Sequence, residues 1–250
     1  MKKIPLERLL HSQGFGSRKD CRALIRHGRV AIGGEEIDDP FLELDPAGLV
    51  FAVDEVEWVY QEKAYLMLNK PAGYECSHQP KHHASVYALL PPPLNGRQVQ
   101  SLGRLDEDTT GLLLFSDDGQ FIHRIISGKR KVPKTYRVAA KHPLSDESIA
   151  ALLSGVQLAD EPGLVAAAGC ERVGEHVILL TVTEGRYHQV KRMVAAVGNR
   201  VEALQRVAIG GLALPDDLPE GKWRWLGADD MARLLEVGAG ADIHPDPNPS

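Results

Sequence analysis

Carboxylates gather in one short stretch of this chain. Gly103-Arg104-Leu105-Asp106-Glu107-Asp108-Thr109-Thr110 runs directly into the apolar segment Gly111-Leu112-Leu113-Leu114-Phe115. A loop that brings Arg, Asp and Thr to the start of a buried strand suits a carboxylate acting as nucleophile or base. Taken alone, Asp106 also reads as a residue capping a turn. Cys76, His78, His82 and His83 are plausible zinc ligands. A closed zinc site, however, needs four ligands at fixed geometry, and this segment continues into apolar Val86 and Leu89, so no metal is expected. Asp106, Asp108, Asp117 and Asp118 raise the idea of a two-metal nuclease. The nearby arginines and the lack of metal-type histidines beside them argue against it. Gly14-Phe15-Gly16 lacks the further glycine and the strand context of a nucleotide-binding loop.

The chain has 250 residues, enough for one large domain or a small one joined to a medium one, and its 43% hydrophobic content allows a sizeable core. Three widely spaced cysteines, Cys21, Cys76 and Cys170, do not form a disulfide framework and point to a reducing, cytoplasmic setting. The basic N-terminus lacks an apolar leader core, and no run approaches the roughly 18 apolar residues of a membrane span. The net charge is −5, but it is unevenly distributed. Residues 1–30 carry eight basic side chains against two acidic ones, and residues 186–206 carry five against one. Acid collects in 215–250, with eight Asp/Glu against three Lys/Arg. Phosphate binding follows the local field at the docking face, so an RNA partner is compatible with the acidic whole.

Two regions must position these groups. In residues 1–48, Leu6, Leu9 and Leu10 recur at helical spacing, and Gly14-Phe15-Gly16 breaks that helix. Ser17 is a good N-cap with Asp20 three residues on, and the next helix is expected from Arg18 to about His27. Arg18, Arg22 and Arg26 step by four along one face, a self-repelling row unless something anionic offsets it. Gly28 ends the helix, and residues 29–37 read as a hairpin around Gly33-Gly34. Helix–helix–hairpin with a basic face resembles the S4-type RNA-binding domain, through Gly16-Ser17-Arg18 and Ile25-Arg26-His27-Gly28-Arg29-Val30. The resemblance implies RNA contacts by Arg18, Arg22, Arg26 and Arg29.

Residues 49–61 read as a strand-rich connector. Beyond it, strands are expected at Tyr65–Leu68, Gly111–Phe115, Tyr136–Ala139, His176–Val182 and Val201–Ile209. Helices are expected through Phe121–Ile126, after Ser145 with Ile149, Leu152 and Leu153 inside, and from Tyr187 to Val197. The elements mix without regular βαβ alternation. This gives an α+β domain on a mixed, largely antiparallel sheet over residues 62–232, followed by a tail at 233–250 expected to be disordered from 238 on.

Gly103-Arg104-Leu105-Asp106-x-x-Thr109-x-Gly111-Leu112 resembles the catalytic motif of the pseudouridine synthases. Lys134-Thr135-Tyr136-Arg137-Val138 resembles the family's second motif, and Glu184-Gly185-Arg186-Tyr187-His188-Gln189-Val190-Lys191-Arg192-Met193 its third. Gly73-Tyr74-Glu75-Cys76-Ser77, Asp117-Asp118-Gly119-Gln120 and Tyr187-His188 are similar to the small-subunit (RsuA) type. The resemblance implies an isomerase that needs no cofactor. Asp106 would be its essential carboxylate, Tyr136 the ring that packs on the base, and Arg186 the basic partner of the aspartate. It also implies a flipped uridine in 16S ribosomal RNA near helix 18, with ribosomal RNA or an assembling small subunit as partner. Nothing in the sequence reads as a dimer seam, so a monomer is expected. Arg104 is placed to hold a phosphate or fill the vacated stack. Lys191 and Arg192 read as RNA-backbone contacts. The rival readings are a 23S, large-subunit enzyme and a non-catalytic assembly factor, which would have no chemical reason to keep Asp106, Tyr136 and Arg186 together.

Overall fold

Ser17 starts its helix through a reciprocal cap. Its hydroxyl accepts from the Asp20 amide while Asp20 accepts from the Ser17 amide. This is seen in a computed structural model of the chain that describes residues 2–126 and 132–236. The described chain divides into two compact units. One comprises residues up to Ala64 with 90–100 and 116–118, and the other comprises the remainder.

In the first unit, helices α1 (Leu6–Ser12) and α2 (Arg18–Arg26) precede the hairpin β1 (Val30–Ile32) and β2 (Glu35–Glu36). Gly33 and Gly34 both take positive φ, 60° and 84°, as a tight two-residue turn requires. The stretch read as a connector forms β3 (Val50–Val53) and β4 (Val56–Val59), and these extend the hairpin into a sheet ordered β2-β1-β3-β4. Leu6, Leu9 and Leu10 close on Cys21, Ile25, Val30, Phe51 and Val53, so the leucine spacing does mark a buried face.

The second unit is built on a sheet. Its longer strands, in chain order, are β5 (Tyr65–Lys70), β6 (Thr110–Ser116), β7 (Lys134–Ala140), β8 (Gly169–Gly174), β9 (Val177–Val182), β10 (Val201–Ile209) and β11 (Trp223–Trp225), with two-residue strands at Gln100–Ser101 and Leu212–Ala213 paired to β6 and β10. Across the sheet they lie in the order β8-β9-β7-β10-β6-β5-β11. Pairing is antiparallel at β8–β9, β9–β7, β7–β10 and β5–β11, and parallel at β6–β10. The fold is thus α+β with a mixed sheet. Helices α3 (Gly119–Ile126), α4 (Asp146–Ser154), α5 (Gln189–Ala196) and α6 (Ala228–Leu235) cover it. Leu152, Val190, Met193 and Val194 pack on Val138, Ile178, Leu180 and Leu204. Phe121, Ile125 and Leu234 pack on Met67, Leu112, Leu114 and Ile209. Burial of β6 from Gly111 to Ser116 explains its apolar run.

Three local readings change. The helix expected from Tyr187 starts at Gln189, because His188 sits in the left-handed region (φ 47°) and interrupts it. Leu153, expected inside, is 43% exposed because only Leu152 of that pair faces the core. The strands 169–174 and 223–225 were not legible, since both lie at sheet edges and are only partly buried. Helix α6 reaches Leu235. The tail at 238–250, expected to be disordered, lies outside the described residues. No described helix is long and apolar enough to cross a membrane.

Candidate active site

The loop carrying Asp106 is held from beneath by a lysine. Lys70, at the end of β5, is fully buried, and its ammonium donates to the carbonyls of Pro71, Asp106, Glu107 and Thr109 at 2.9–3.2 Å. Burial pulls the Lys70 pKa down. Four carbonyl dipoles replace the water it has lost. The Gly73 amide donates to the Glu107 carbonyl at 2.8 Å, and the Leu105 amide donates to Cys76 Sγ at 3.5 Å. The loop is therefore fixed at both ends before it enters β6.

Strand order sets what faces the loop. β10 lies between β6 and β7, with Gly111 opposite Arg206 and Arg206 opposite Tyr136. A Cβ at Gly111 would fall 2.3 Å from the Arg206 carbonyl oxygen, so glycine is needed for this close approach. A cleft of about 880 Å³ opens over this part of the sheet. Among the residues lining it are Asp106, Tyr136 and Arg186, together with Lys134, Lys191 and Arg206.

The structure places the basic partner of Asp106 differently from the sequence reading. Lys191 Nζ lies 3.1 Å from Asp106 Oδ2 and 2.6 Å from Asp108 Oδ1, and His188 Nε2 lies 3.3 Å from Asp106 Oδ1. The two Asp106 oxygens thus meet two different side chains. Residues 188 and 191 stand three apart across the first turn of α5, the spacing that brings two side chains to one spot. Arg186 precedes the helix and pairs instead with Glu184 at 2.6 Å and with Glu161. Contact with Glu184 leads the effects that raise the pKa of Arg186. Burial pulls Lys191 down, but Asp108 and Asp106 outweigh it and leave its pKa above the ordinary value. Burial likewise pushes Asp108 up, and Lys191 reverses this to a net lowering. The missed signal was helical phase: Lys191 shares a turn with His188, whereas Arg186 has Glu184 two residues away.

Tyr136 projects from β7 into the cleft, as do Lys134 two residues earlier and Leu204 on β10. Arg104 lines the cleft and is exposed. Arg192 donates to the carbonyls of Tyr187 and Ala159 and lies near Glu161. His78 stacks on Tyr87 (centroids 3.6 Å apart), and the amides of Lys81, His82 and His83 all donate to the Glu75 carboxylate. Those amides, led by that of His82, lower the Glu75 pKa to about 2. In the first unit, Arg18 and Arg26 are exposed, Arg22 pairs with Glu7, and Arg29 makes a two-point pair with Asp54 at 2.5–2.6 Å. Among the described residues, the basic row on α2 therefore has one carboxylate ion-pair partner, Glu7.

Comparisons with known proteins bear on the same residues. Residues 64–196 match the RNA pseudouridylate synthase family, and residues 4–47 match the S4 domain. The chain is 41% identical to the ribosomal small subunit pseudouridine synthase A of Yersinia pestis, covering 92% of this chain and 97% of that one. It is 38% identical to an uncharacterised RNA pseudouridine synthase of Bacillus subtilis, with 94% and 99% covered. A crystal structure of a pseudouridylate synthase superposes with a TM-score of 0.66 at 35% identity, covering 93% of this chain and all of that one.

Proposed function

Starting from a chain that belongs to the RNA pseudouridylate synthase family and carries an S4 domain, we propose that it isomerises one uridine of small-subunit ribosomal RNA. Asp106 is the catalytic carboxylate in this reading, and the helix-18 region is the target. Support for the subunit comes from the small-subunit relatives and from Tyr187-His188, the residues that set this chain's third motif apart. The observation that carries the catalytic assignment is the two-sided hold on Asp106 by Lys191 and His188 inside the cleft.

The chemistry follows from that hold. Pseudouridine formation exchanges an N1–C1′ bond for a C5–C1′ bond, so no atom enters and none leaves. A carboxylate beside the ribose serves by adding to C1′ or by taking the C2′ proton. Lys191 supplies its counter-charge and fixes its orientation before the substrate arrives, which is electrostatic preorganisation. Tyr136 offers its ring to the extruded base, and Arg104 meets the backbone or the gap left in the stack. Arg186 is held by Glu161 and Glu184 and serves the RNA-facing wall, where Arg192 joins it. Arg18, Arg22, Arg26 and Arg29 draw the RNA to the S4 domain. In this reading the enzyme works as a cytoplasmic monomer.

Carbodiimide-primer extension across small- and large-subunit ribosomal RNA, from cells with and without the protein, tests this reading. One small-subunit site should disappear and be restored by the wild type but not by Asp106→Asn, which should keep RNA affinity within about threefold and lose at least about a thousandfold in rate. Loss of a large-subunit site would overturn the target. Restoration by Asp106→Asn would overturn the mechanism.

A further inference from the structure

The cleft floor holds two cations that the catalytic scheme above does not use. Lys134 and Arg206 both line the cleft with Asp106 and Tyr136. Lys134 stands two residues before Tyr136 on β7, so the two side chains share a face of the sheet. Arg206 stands opposite Tyr136 on β10, next to a register shift between Thr135 and Tyr136. Bulges of this kind re-aim side chains beside active sites. Val182, opposite Lys134 on β9, closes the other side.

Neither cation is matched by a carboxylate. Arg206 is only 2% exposed; its Nε donates to the Leu112 carbonyl at 2.8 Å, while one terminal nitrogen is buried with no hydrogen-bond partner among the described residues. Lys134 Nζ donates to the Val132 carbonyl at 2.9 Å, and no ion pair is formed by either residue among the described ones. Burial, and then the like charge of Arg206, lower the Lys134 pKa to about 8. Two neighbouring cations without a counter-ion are costly in a folded protein unless something bound completes them.

We infer that Lys134 and Arg206 form an anion subsite for the uracil ring, which stabilises the base while it is detached from the sugar. The inference rests on the proposed isomerase reading and extends it to the base. When N1–C1′ breaks, the bonding pair stays with the base, which becomes a uracil anion with charge spread over N1, O2 and O4. C1′ is meanwhile bonded to an Asp106 oxygen, or the C2′ proton passes to Asp106 to leave a glycal. After the ring turns, C5 forms the bond to C1′ and gives up its proton to water, N1 takes a proton, and Asp106 is released or returns its proton to C2′. The net change is an isomerisation. The free base carries full negative charge only between the two bond changes, so donors aimed at its oxygens favour that interval over the ground state. Tyr136 would hold the ring's face while the two cations hold its edge, which lets the ring turn without leaving.

Single-turnover release of tritium from full-length small- and large-subunit ribosomal RNA transcripts labelled at uridine C5 tests this. Lys134→Gln should slow release by about 100-fold, with half-saturating RNA changed by no more than about threefold. Lys134→Arg should regain at least about tenfold of that loss, and Arg206→Lys should slow release by about tenfold or more. Transcripts made with 5-fluorouridine supply the second readout, followed by disappearance of the intact nucleoside. Fluorine stabilises the departing anion by itself, so the Lys134→Gln deficit should shrink to about tenfold or less. An equal deficit with both substrates would make Lys134 structural and overturn the subsite. A change in half-saturating RNA with an unchanged rate would make it a backbone contact, with the same consequence. No release by the wild type from either transcript would remove the isomerase reading and this inference with it.

Discussion

The S4 domain and the sheet beneath the catalytic cleft hold their cations in opposite ways. In the S4 domain, residues 4–47, they lie at the surface: the Arg22 and Arg29 side chains are 42% and 52% exposed even where Glu7 and Asp54 pair with them. In the catalytic unit Lys70 and Arg206 are fully buried, and their partners are main-chain carbonyls. Lys191 lies between, 25% exposed and gripping two aspartates. A surface charge acts over roughly 8–10 Å in physiological salt, tolerates many orientations and is screened. A buried charge acts at one point and must be completed by a partner or a substrate. The first kind gathers a polyanion, and the second orients a single nucleotide.

The sharpest way to break this contrast lies at the boundary between the two kinds. Lys191→Met should lower the single-turnover rate by about 100- to 1,000-fold, because it removes the counter-charge and one of the two holds on Asp106. Arg186→Met should stay within about tenfold of wild type, since Arg186 is spent on Glu161 and Glu184. Lys191→Arg, which keeps the charge, should recover part of the loss. Equal losses for Lys191→Met and Arg186→Met would mean that RNA binding moves Arg186 onto Asp106. The line between a gathering cation and an orienting one would then be drawn by the substrate rather than by the fold.

A smaller effect tests the surface side. Arg18 and Arg26 are exposed on α2. The double change Arg18→Gln with Arg26→Gln should weaken RNA binding by about tenfold at low salt. It should also flatten the plot of log affinity against log salt by about 2, at roughly 0.9 per lost phosphate contact. Titrating labelled ribosomal RNA at several salt concentrations reads both. An unchanged slope would take α2 out of the docking surface.

The same contrast explains what could be read from the sequence alone. Caps, turns and apolar runs carry local signals. The Ser17–Asp20 cap, the Gly33-Gly34 turn and the apolar runs of β5 and β6 were legible because a few adjacent residues determine them. The loop that displays Asp106 was legible through its motif. Which cation meets Asp106 was not, because that depends on where α5 begins, and a left-handed His188 sets the start two residues later than the apolar pattern suggests. Lys70 and Arg206 were also missed. Each sits inside or beside an apolar strand, where a lone basic residue has no local signature, and its role appears only when carbonyls distant in the chain come within reach, those of the Asp106 loop for Lys70 and that of Leu112 on β6 for Arg206. The edge strands at 169–174 and 223–225 were hidden for a related reason: their register comes from a neighbour, and their own alternation is weak.

The smallest expected effect concerns a charge of the opposite sign. Glu75 is the anionic counterpart of Lys70, a charge solvated by the main chain, here through the amides of Lys81, His82 and His83. Its pKa is lowered from 4.5 to about 2, with the His82 amide as the largest cause. A depressed carboxylate contributes order that is fully present above the unfolded value, and loses it as the pH falls from about 4.5 through about 2. At neutral pH, therefore, Glu75→Gln should mimic the acid end of that window. Hydrogen exchange at pH 7 should show the protection of those three amides falling by about fivefold to tenfold, while amides in β6 are unaffected. The catalytic rate should drop by no more than about threefold, because the Glu75 carboxylate itself bonds only amides of its own loop, while Lys70 keeps its hold on the Asp106 carbonyl. Unchanged protection in Glu75→Gln would mean that the loop is ordered by its other contacts, such as the Ser85 hydroxyl on the Ser77 carbonyl and His78 stacked on Tyr87. Main-chain solvation of a charge would then be an organising device for the Asp106 loop alone.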